Sequence, residues 1–336
     1  MLRVHFTSAD LARTGLTTVA DPLWEILLSH FRLIERDRPM FIQPWISRLR
    51  SRPDLLTMMR PAATLLSGLA PLGPYFPDFL TPAESAAGLE AGLEAVGATD
   101  RRRLRDELDL LHQSNRRRGR ATPGWLAGFV GAKSDPLTSL TKALREYHRA
   151  AVGSHDDLIR RCVAADVEPR VNALLAGGVE ALFRSFEPLM RWRPPVLEVR
   201  YDVEQDLYLR GRGLRLVPSF FCHGSAVSLA DNDLPPVLIY PIAPEPRWEA
   251  VCSADPAGPL ADLMGATRAA VLAALRHGAS TSQLAATLHT SPASMSRHTK
   301  TLRHAGLITS TRRGPAVLHD LTPLGWKLLD RSEAQV

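Results

Sequence analysis

Two helix-start signals separated by a short turn constrain this chain more than any other feature of its sequence. Ser280-Thr-Ser-Gln283 has the spacing of a capping box, in which the first and last side chains bond each other's backbone N–H groups. His289-Thr-Ser-Pro292 then places a capping serine before a proline, which favours the first turn of a helix. The pattern predicts a helix over 281–288, a tight turn, and a second helix over 292–305 that ends at Gly306.

The segments around this helix pair extend the prediction. An apolar helical pattern begins at Leu260 and ends at His277-Gly278, where glycine favours a helix C-terminus. Two strand candidates, 307–311 and 316–321, flank the turn sequence Arg312-Arg-Gly-Pro315, and a last short helix starts at Thr322-Pro323. Helix, helix, turn, helix and basic hairpin is the element order of a winged helix-turn-helix domain.

The second helix of the pair is predicted to have a core face and a polar face. Met295, Thr299 and Leu302 recur at helical spacing and should face the core. A helix in the major groove of DNA needs short hydroxyls for close approach and Arg or Lys to reach guanine or phosphate, and basic hairpin residues can reach the backbone or minor groove. The predicted DNA contacts, led by Arg297 and Lys300, are Ser294, Ser296, Arg297, His298, Lys300, Arg303, Arg312 and Arg313.

Each of these residues also has a purely structural interpretation. The whole helix could be an ordinary solvated helix, and some winged helices serve only in protein contacts. His298 could be a structural histidine, and Arg303 could complement the helix dipole. Arg312 and Arg313 could be a solvated loop tip.

The distribution of charge favours the DNA interpretation. The chain has 336 residues and a formal net charge of +6, with arginine far commoner than lysine, a bias typical of a G+C-rich genome. From Leu260 to Val336, however, the sequence has nine basic and four acidic residues. That segment therefore has a net charge of +5, and the rest of the chain has a net charge of only +1. Because a genome-wide bias would not concentrate charge at one end, the excess indicates a local basic surface.

The segment before Arg193 is predicted to be mostly helical. After Asp21-Pro22, which signals a helix start, apolar residues recur at helical spacing from Trp24 to Ile34, and similar stripes follow. Beyond Pro194-Pro195, strand patterns follow. The predicted strands are 196–201, 213–221 and 236–240.

These patterns predict an α+β chain with two domains and a linker. Residues 1–245 form a mostly helical N-terminal domain with a small antiparallel sheet, serving in regulation or dimerisation. Residues 246–259 are a linker rich in Pro and Ala, and residues 260–336 form the winged helix DNA-binding domain.

The C-terminal segment resembles the ArsR-type winged helix-turn-helix regulators of bacteria. The similarity lies in 281–286, in 291–308 with its Ser-Arg-His and Leu-Arg-His-Ala-Gly-Leu-Ile runs, and in 321–325. The N-terminal portion is similar to an uncharacterised domain fused to such winged helices in high-G+C bacteria, a domain with no known activity. That second similarity rests on 2–7, 21–25, 216–221 and 237–241.

The resemblance implies a homodimeric repressor that binds a double-stranded DNA operator and is released by an effector. Metal-sensing members of that family carry a cysteine pair or His and acidic ligands. The span from Leu260 to Val336 has no cysteine, and its acidic residues show no ligand spacing with its histidines, so we expect no metal site. A small-molecule effector would therefore bind the N-terminal domain.

No catalytic motif occurs in the chain, so we expect neither enzyme activity nor a cofactor. Three scattered cysteines exclude a disulfide framework, and no apolar run suits a membrane helix or signal peptide, so we expect a cytoplasmic protein without membrane contact. Arg116-Arg-Arg-Gly-Arg120 could be a second nucleic-acid patch or a solvated helix end, and Cys222-His223 is weak evidence for metal. The alternative function is an effector-binding or enzymatic N-terminal domain that uses the winged helix for dimerisation or protein contacts.

Overall fold

The chain divides into two compact units, Met1–Ala243 (unit 1) and Pro244–Val336 (unit 2). The computed structural model describes residues 1–35, 38–131, 136–242, 258–288, 290–313 and 316–333. The predicted linker, 246–259, therefore lies almost wholly outside the described residues. The roles assigned to the two domains stay predictions.

Unit 1 combines helices with short strands. Its elements in chain order are β1 Leu2–His5, α1 Ser8–Ala12, β2 Gly15–Leu16, α2 Pro22–Ile34, α3 Gln43–Ser51, α4 Pro53–Leu69, α5 Leu89–Gly97, α6 Arg101–Arg117, α7 Trp125–Gly131, α8 Pro136–Tyr147, α9 Asp156–Arg184, β3 Met190–Arg193, β4 Val196–Val199, β5 Gln205–Tyr208, β6 Arg215–Ser219, β7 Val227–Ser228 and β8 Val237–Pro241. Short 3-10 helices cover Met40–Ile42, Asp78–Leu80, Ala83–Ala87 and Gly153–His155, and a π-helical turn covers His148–Val152.

The α+β class is confirmed, but the sheets of unit 1 differ from the predicted single antiparallel sheet. One four-stranded sheet has the order β3-β4-β1-β5, and a second has the order β2-β6-β8-β7. In the first, β1 pairs antiparallel with β4 and parallel with β5, with Leu2 opposite Val199 and Gln205. In the second, β6 pairs parallel with β2 and β8. Strand β7 pairs antiparallel with β8, so both sheets are mixed, and each also takes a strand from the N-terminus, β1 or β2.

Helix α2 begins as the sequence predicts. The Asp21 carboxylate accepts hydrogen bonds from the backbone N–H groups of Leu23 and Trp24, at 3.1 and 3.3 Å, and Pro22 occupies the first turn. Every residue from Leu23 to Arg32 is buried, including four polar ones. The helix is therefore a central element of unit 1 rather than an amphipathic surface helix.

Buried carboxylates join helices to loops in unit 1. Glu25 of α2 accepts from the backbone N–H groups of Phe220 and Phe221, at 2.7 and 3.1 Å. This explains why the strand predicted over 213–221 ends at Ser219, since those two N–H groups bond the carboxylate instead of a neighbouring strand. Asp78 likewise accepts from the N–H groups of Ala230 and Asp231.

Unit 2 contains α10 Gly258–Met264, α11 Ala266–Ala274, a 3-10 turn Leu275–His277, β9 Ala279–Ser280, α12 Thr281–Thr287, α13 Pro292–His304, β10 Ile308–Arg313, β11 Ala316–Leu321 and α14 Pro323–Glu333. The single helix predicted from Leu260 to His277 is wrong, because Gly265 has a φ of +86° and separates α10 from α11. The predicted helix pair and hairpin are present. Strand β9, which the sequence did not predict, joins them in an antiparallel sheet of order β10-β11-β9.

Candidate nucleic-acid interface

Side-chain caps fix both helices of the α12–α13 pair. The Ser280 hydroxyl accepts from the Gln283 N–H at 3.2 Å, and the Gln283 side chain accepts from the Ser280 N–H at 2.8 Å, so the capping box is formed. After the turn, the Ser291 hydroxyl accepts from the Ser294 N–H at 3.1 Å and Pro292 opens α13. His289, within the turn, lies outside the described residues. The caps set where α13 starts and hence which of its faces turns outward.

The core face of α13 is confirmed. Met295, Thr299 and Leu302 are buried, and the Thr299 hydroxyl donates to the Met295 carbonyl at 3.0 Å, so it needs no partner outside the helix. This face packs on α11 and α12. At the C-terminal end, Gly306 has a φ of +70°, which allows the backbone to leave the helix toward β10.

The outward face of α13 is basic. Ser296, Arg297, Lys300 and Arg303 are all exposed. Among the described residues of unit 2, none of these cations has a carboxylate within ion-pair distance. Because unpaired guanidinium and ammonium groups keep their full hydrogen-bonding capacity, this face can bind phosphate or base edges.

Ser294 and His298 lie on one flank of α13 rather than on its outward face. Both are half-buried, and the Ser294 hydroxyl lies 3.5 Å from His298 Nε2, the outer limit of a hydrogen bond. The DNA contacts of Ser294 and His298 stay predictions.

Strands β10 and β11 form the basic hairpin that follows this helix pair in the chain. Strands β10 and β11 are in register from Ile308 opposite Leu321 to Arg313 opposite Ala316. Arg312 is exposed near the end of β10. The side chain of Arg313 and the tip residues 314 and 315 lie outside the described residues. The prediction that Arg313 contacts DNA therefore rests on the sequence.

A buried histidine connects the hairpin to the start of α12. His319 Nε2 lies 2.8 Å from the Thr281 hydroxyl, and its Nδ1 lies 2.8 Å from the Ser310 hydroxyl. Burial lowers the pKa of His319, and the nearby Arg303 cation acts in the same direction. The neutral ring therefore donates from one nitrogen and accepts at the other. We call this group the His319 clamp.

Sequence reasoning missed the His319 clamp, although one signal was present. Ser310 and His319 occupy directly opposite positions once the hairpin register is fixed, so their side chains emerge on the same face of the sheet. Thr281 could not have been placed there, because its approach depends on strand β9 pairing with β11.

The structure also bears on the predictions about the cysteines, a metal site and a membrane helix. Cys162 and Cys222 are buried thiols, and Cys252 lies outside the described residues. Within the described ranges, no group of three or more His, Cys, Asp or Glu side chains is arranged to hold a metal ion. In that same part of the chain, every helix is too short or too polar to cross a membrane.

Comparison with known proteins supports the assignment of unit 2. No curated protein and no solved structure matches the chain. A family model described as a helix-turn-helix domain matches residues 263–311, the segment that holds α11, α12, α13 and the first residues of β10. The chain therefore carries a helix-turn-helix domain, which supports a DNA-binding transcriptional regulator.

Proposed function

We propose that this protein is a homodimeric repressor that binds a double-stranded DNA operator in a sequence-specific manner through unit 2. The observation that carries the proposal is the outward face of α13, where Arg297 and Lys300 are exposed beside Ser296 and no described carboxylate neutralises them. A DNA-binding role would also place the protein in the cytoplasm.

Helix α13 enters the major groove in this proposal. Its caps and buried face hold it against α11 and α12, so its outward side chains are presented by a rigid element. Arg297 is suited to bidentate bonds with guanine, Lys300 to guanine or phosphate, and Ser296 permits close approach of the backbone. Arg303 lies at the C-terminal end of the same face, where phosphate is the natural partner.

The hairpin adds contacts outside the major groove. Exposed Arg312, and Arg313 from the sequence, would bind the neighbouring phosphate backbone or minor groove. The His319 clamp supports this arrangement, because it connects the hairpin to the first turn of α12.

Dimerisation and repression rest on the resemblance to ArsR-type regulators. Two copies of α13 would occupy successive major grooves about 34 Å apart on a near-palindromic operator. In the alternative, unit 1 carries the activity and unit 2 serves only in dimerisation or protein contacts.

DNA binding is tested with the full chain and double-stranded fragments selected from a random pool, followed by fluorescence anisotropy across a salt series. We expect Arg297→Ala and Lys300→Ala each to weaken binding and to lower the salt slope for a lost phosphate contact by about one unit. Arg60→Ala and Lys142→Ala, which remove exposed cations of unit 1, are the matched controls. Selection of no sequence, or equal behaviour of all four variants, would contradict the proposal and favour the alternative.

A further inference from the structure

A pocket of about 440 Å³ in unit 1 has an aromatic wall. Leu28 and Phe31 of α2 line it together with Phe76, and all three are buried. The ring centroids of Phe31 and Phe76 are 6.1 Å apart. The volume lies in the range of small-molecule sites, and this wall can accept the apolar body of a ligand.

A buried guanidinium lies in the same pocket. The Arg32 side chain is only 7% exposed, and its Nη2 donates to Glu35 Oε1 at 2.6 Å. Its Nε is also buried, and no group among the described residues bonds to it. A buried donor without an acceptor is unfavourable, and a guanidinium binds a second oxyanion readily. The pocket therefore contains a cation whose hydrogen-bonding capacity is incompletely used.

Two further cations lie at the same pocket. Arg118 and Arg120, which directly follow α6, are exposed and line it. They belong to the Arg116–Arg120 run, for which the sequence left a solvated helix end and a nucleic-acid patch as alternatives. Their convergence on a pocket with Arg32 indicates a third role, which is attraction of a small anion.

The carboxylates of the pocket already have partners. Glu35 accepts from Arg32, and Asp202 accepts from the Ser225 hydroxyl at 2.6 Å. Among the described residues of the lining, three arginines stand against two carboxylates. A ligand anion would therefore meet net positive charge rather than a neutral site.

We propose that this pocket binds an amphipathic organic carboxylate, with its oxygens on Arg32 and its apolar body against Phe31 and Phe76. Arg118 and Arg120 would act at the entrance. A neutral apolar ligand would supply no acceptor to Arg32 Nε, and an inorganic anion would leave the aromatic wall in contact with water. The inference goes beyond DNA binding, because every residue involved lies in unit 1.

The ligand class is tested by isothermal titration of the full chain with phenylacetate and octanoate. The matched neutral probes are phenylacetamide and octanamide, and inorganic phosphate is the anion without an apolar body. We expect at least one carboxylate to bind with a Kd below about 1 mM and at least tenfold more tightly than its amide and than phosphate. No DNA is present, so the outcome is independent of the DNA-binding proposal.

Variants locate the site. We expect Arg118→Ser/Arg120→Ser to raise the Kd of the carboxylate about fivefold or more. Arg116→Ser/Arg117→Ser, which removes two exposed arginines from the last turn of α6 outside the pocket, should leave it unchanged. Arg32→Met should raise it at least tenfold. Because that change leaves Glu35 without its cation, Val227→Trp, which fills the pocket from β7, is the second variant and should abolish binding.

Near-UV circular dichroism checks that each variant keeps its fold. Equal affinity for carboxylate and amide, equal affinity for phosphate, or no saturable binding up to a few millimolar would overturn the proposal. So would full binding in the folded Val227→Trp protein, which would place the ligand elsewhere.

Discussion

Helices α2 and α13 start in the same way and serve opposite purposes. Each begins with a capping side chain followed by proline, Asp21-Pro22 in unit 1 and Ser291-Pro292 in unit 2. Helix α2 then buries ten consecutive residues, whereas α13 buries only Met295, Thr299 and Leu302. The start signal therefore sets where a helix begins, and the residues that follow decide whether its polar groups serve the fold or remain available to a partner.

The polar groups of the two helices differ accordingly. In α2, Glu25 bonds two backbone N–H groups and Ser29 lies 3.1 Å from the Tyr147 hydroxyl. In α13, Arg297 and Lys300 face outward, where no described carboxylate neutralises them. Changes in α2 should therefore alter stability, and changes on the outward face of α13 should alter binding. The following predictions test that separation, from the largest effect to the smallest.

Glu25→Gln should be the most damaging single change. It replaces one buried carboxylate oxygen by an NH₂ group that cannot accept from the Phe220 or Phe221 N–H. We expect the free energy of unfolding to fall by about 3 kcal/mol, measured by urea denaturation. Glu94→Gln, an exposed position in α5, is the control and should have little effect. Similar losses in both variants would contradict the role of Glu25 in joining α2 to the loop.

His30→Leu should change the pH dependence of stability. Burial lowers the pKa of His30 to about 4, and within the described part of the chain neither ring nitrogen has a hydrogen-bond partner. The unfolded chain takes up a proton near pH 6.5 while the native ring stays neutral, so acidification from pH 6.5 to about 4 destabilises the native state, by about 2 to 3 kcal/mol at the end of that range. The leucine variant should lack this loss.

The measurement is the difference between variant and wild type in denaturation midpoints from pH 7 to pH 4. Burial raises the pKa of Asp78 to about 6, which stabilises the native state as the pH falls through that value, but this contribution is common to both proteins and cancels. His112→Gln, at an exposed position, should retain the wild-type slope. A constant difference across the range would show that His30 is not responsible.

Arg297→Ala and Lys300→Ala should reduce DNA affinity and leave stability nearly unchanged, the opposite of the changes in α2. We expect each to weaken operator binding about tenfold, or 1.4 kcal/mol, because a base or phosphate contact is lost. Both side chains are exposed, so thermal unfolding should change little. A large loss of stability in either variant would mean that α13 uses its outward face for the fold, and the contrast with α2 would fail.

Arg312→Ala should give the smallest effect. An exposed arginine near the hairpin end contributes one backbone contact, so we expect a two- to fourfold weaker affinity, under about 1 kcal/mol, and a salt slope lower by about one unit. The loss should be the same on specific and non-specific DNA, measured by anisotropy on both. A loss confined to the specific sequence would instead assign Arg312 to base readout.

The sequence predicted best what depends on neighbouring residues. The caps at Asp21, Ser280 and Ser291 and the core face of α13 were predictable because helix starts and helical periodicity are local. The break at Gly265 was missed because the apolar pattern continues through it. Glycine inside a helical pattern can be tolerated, and only its φ shows that it ends the helix.

Long-range contacts could not be predicted in the same way. The pocket that contains Arg32 is lined by residues of α2, of the segment after α6 and of the loop around Ser225, which are far apart in sequence. Likewise, β1 joins its sheet between β4 and β5, so nothing near Leu2 indicates whether its partners run parallel or antiparallel. The residues that the α13 proposal uses lie close together in sequence, so the sequence named them as one site. The sequence also singled out Arg118, Arg120 and Cys222-His223, but it could not show that they line one pocket with Arg32.

The His319 clamp has an evolutionary consequence. Replacing His319 alone would remove a partner from both Thr281 and Ser310, whereas replacing all three by apolar residues would leave no hydroxyl without its partner. Substitutions at these three positions should therefore be inherited together among descendants of this domain. Pairwise covariation among positions 281, 310 and 319 would then show, from sequences alone, that these contacts hold the hairpin to the helix pair.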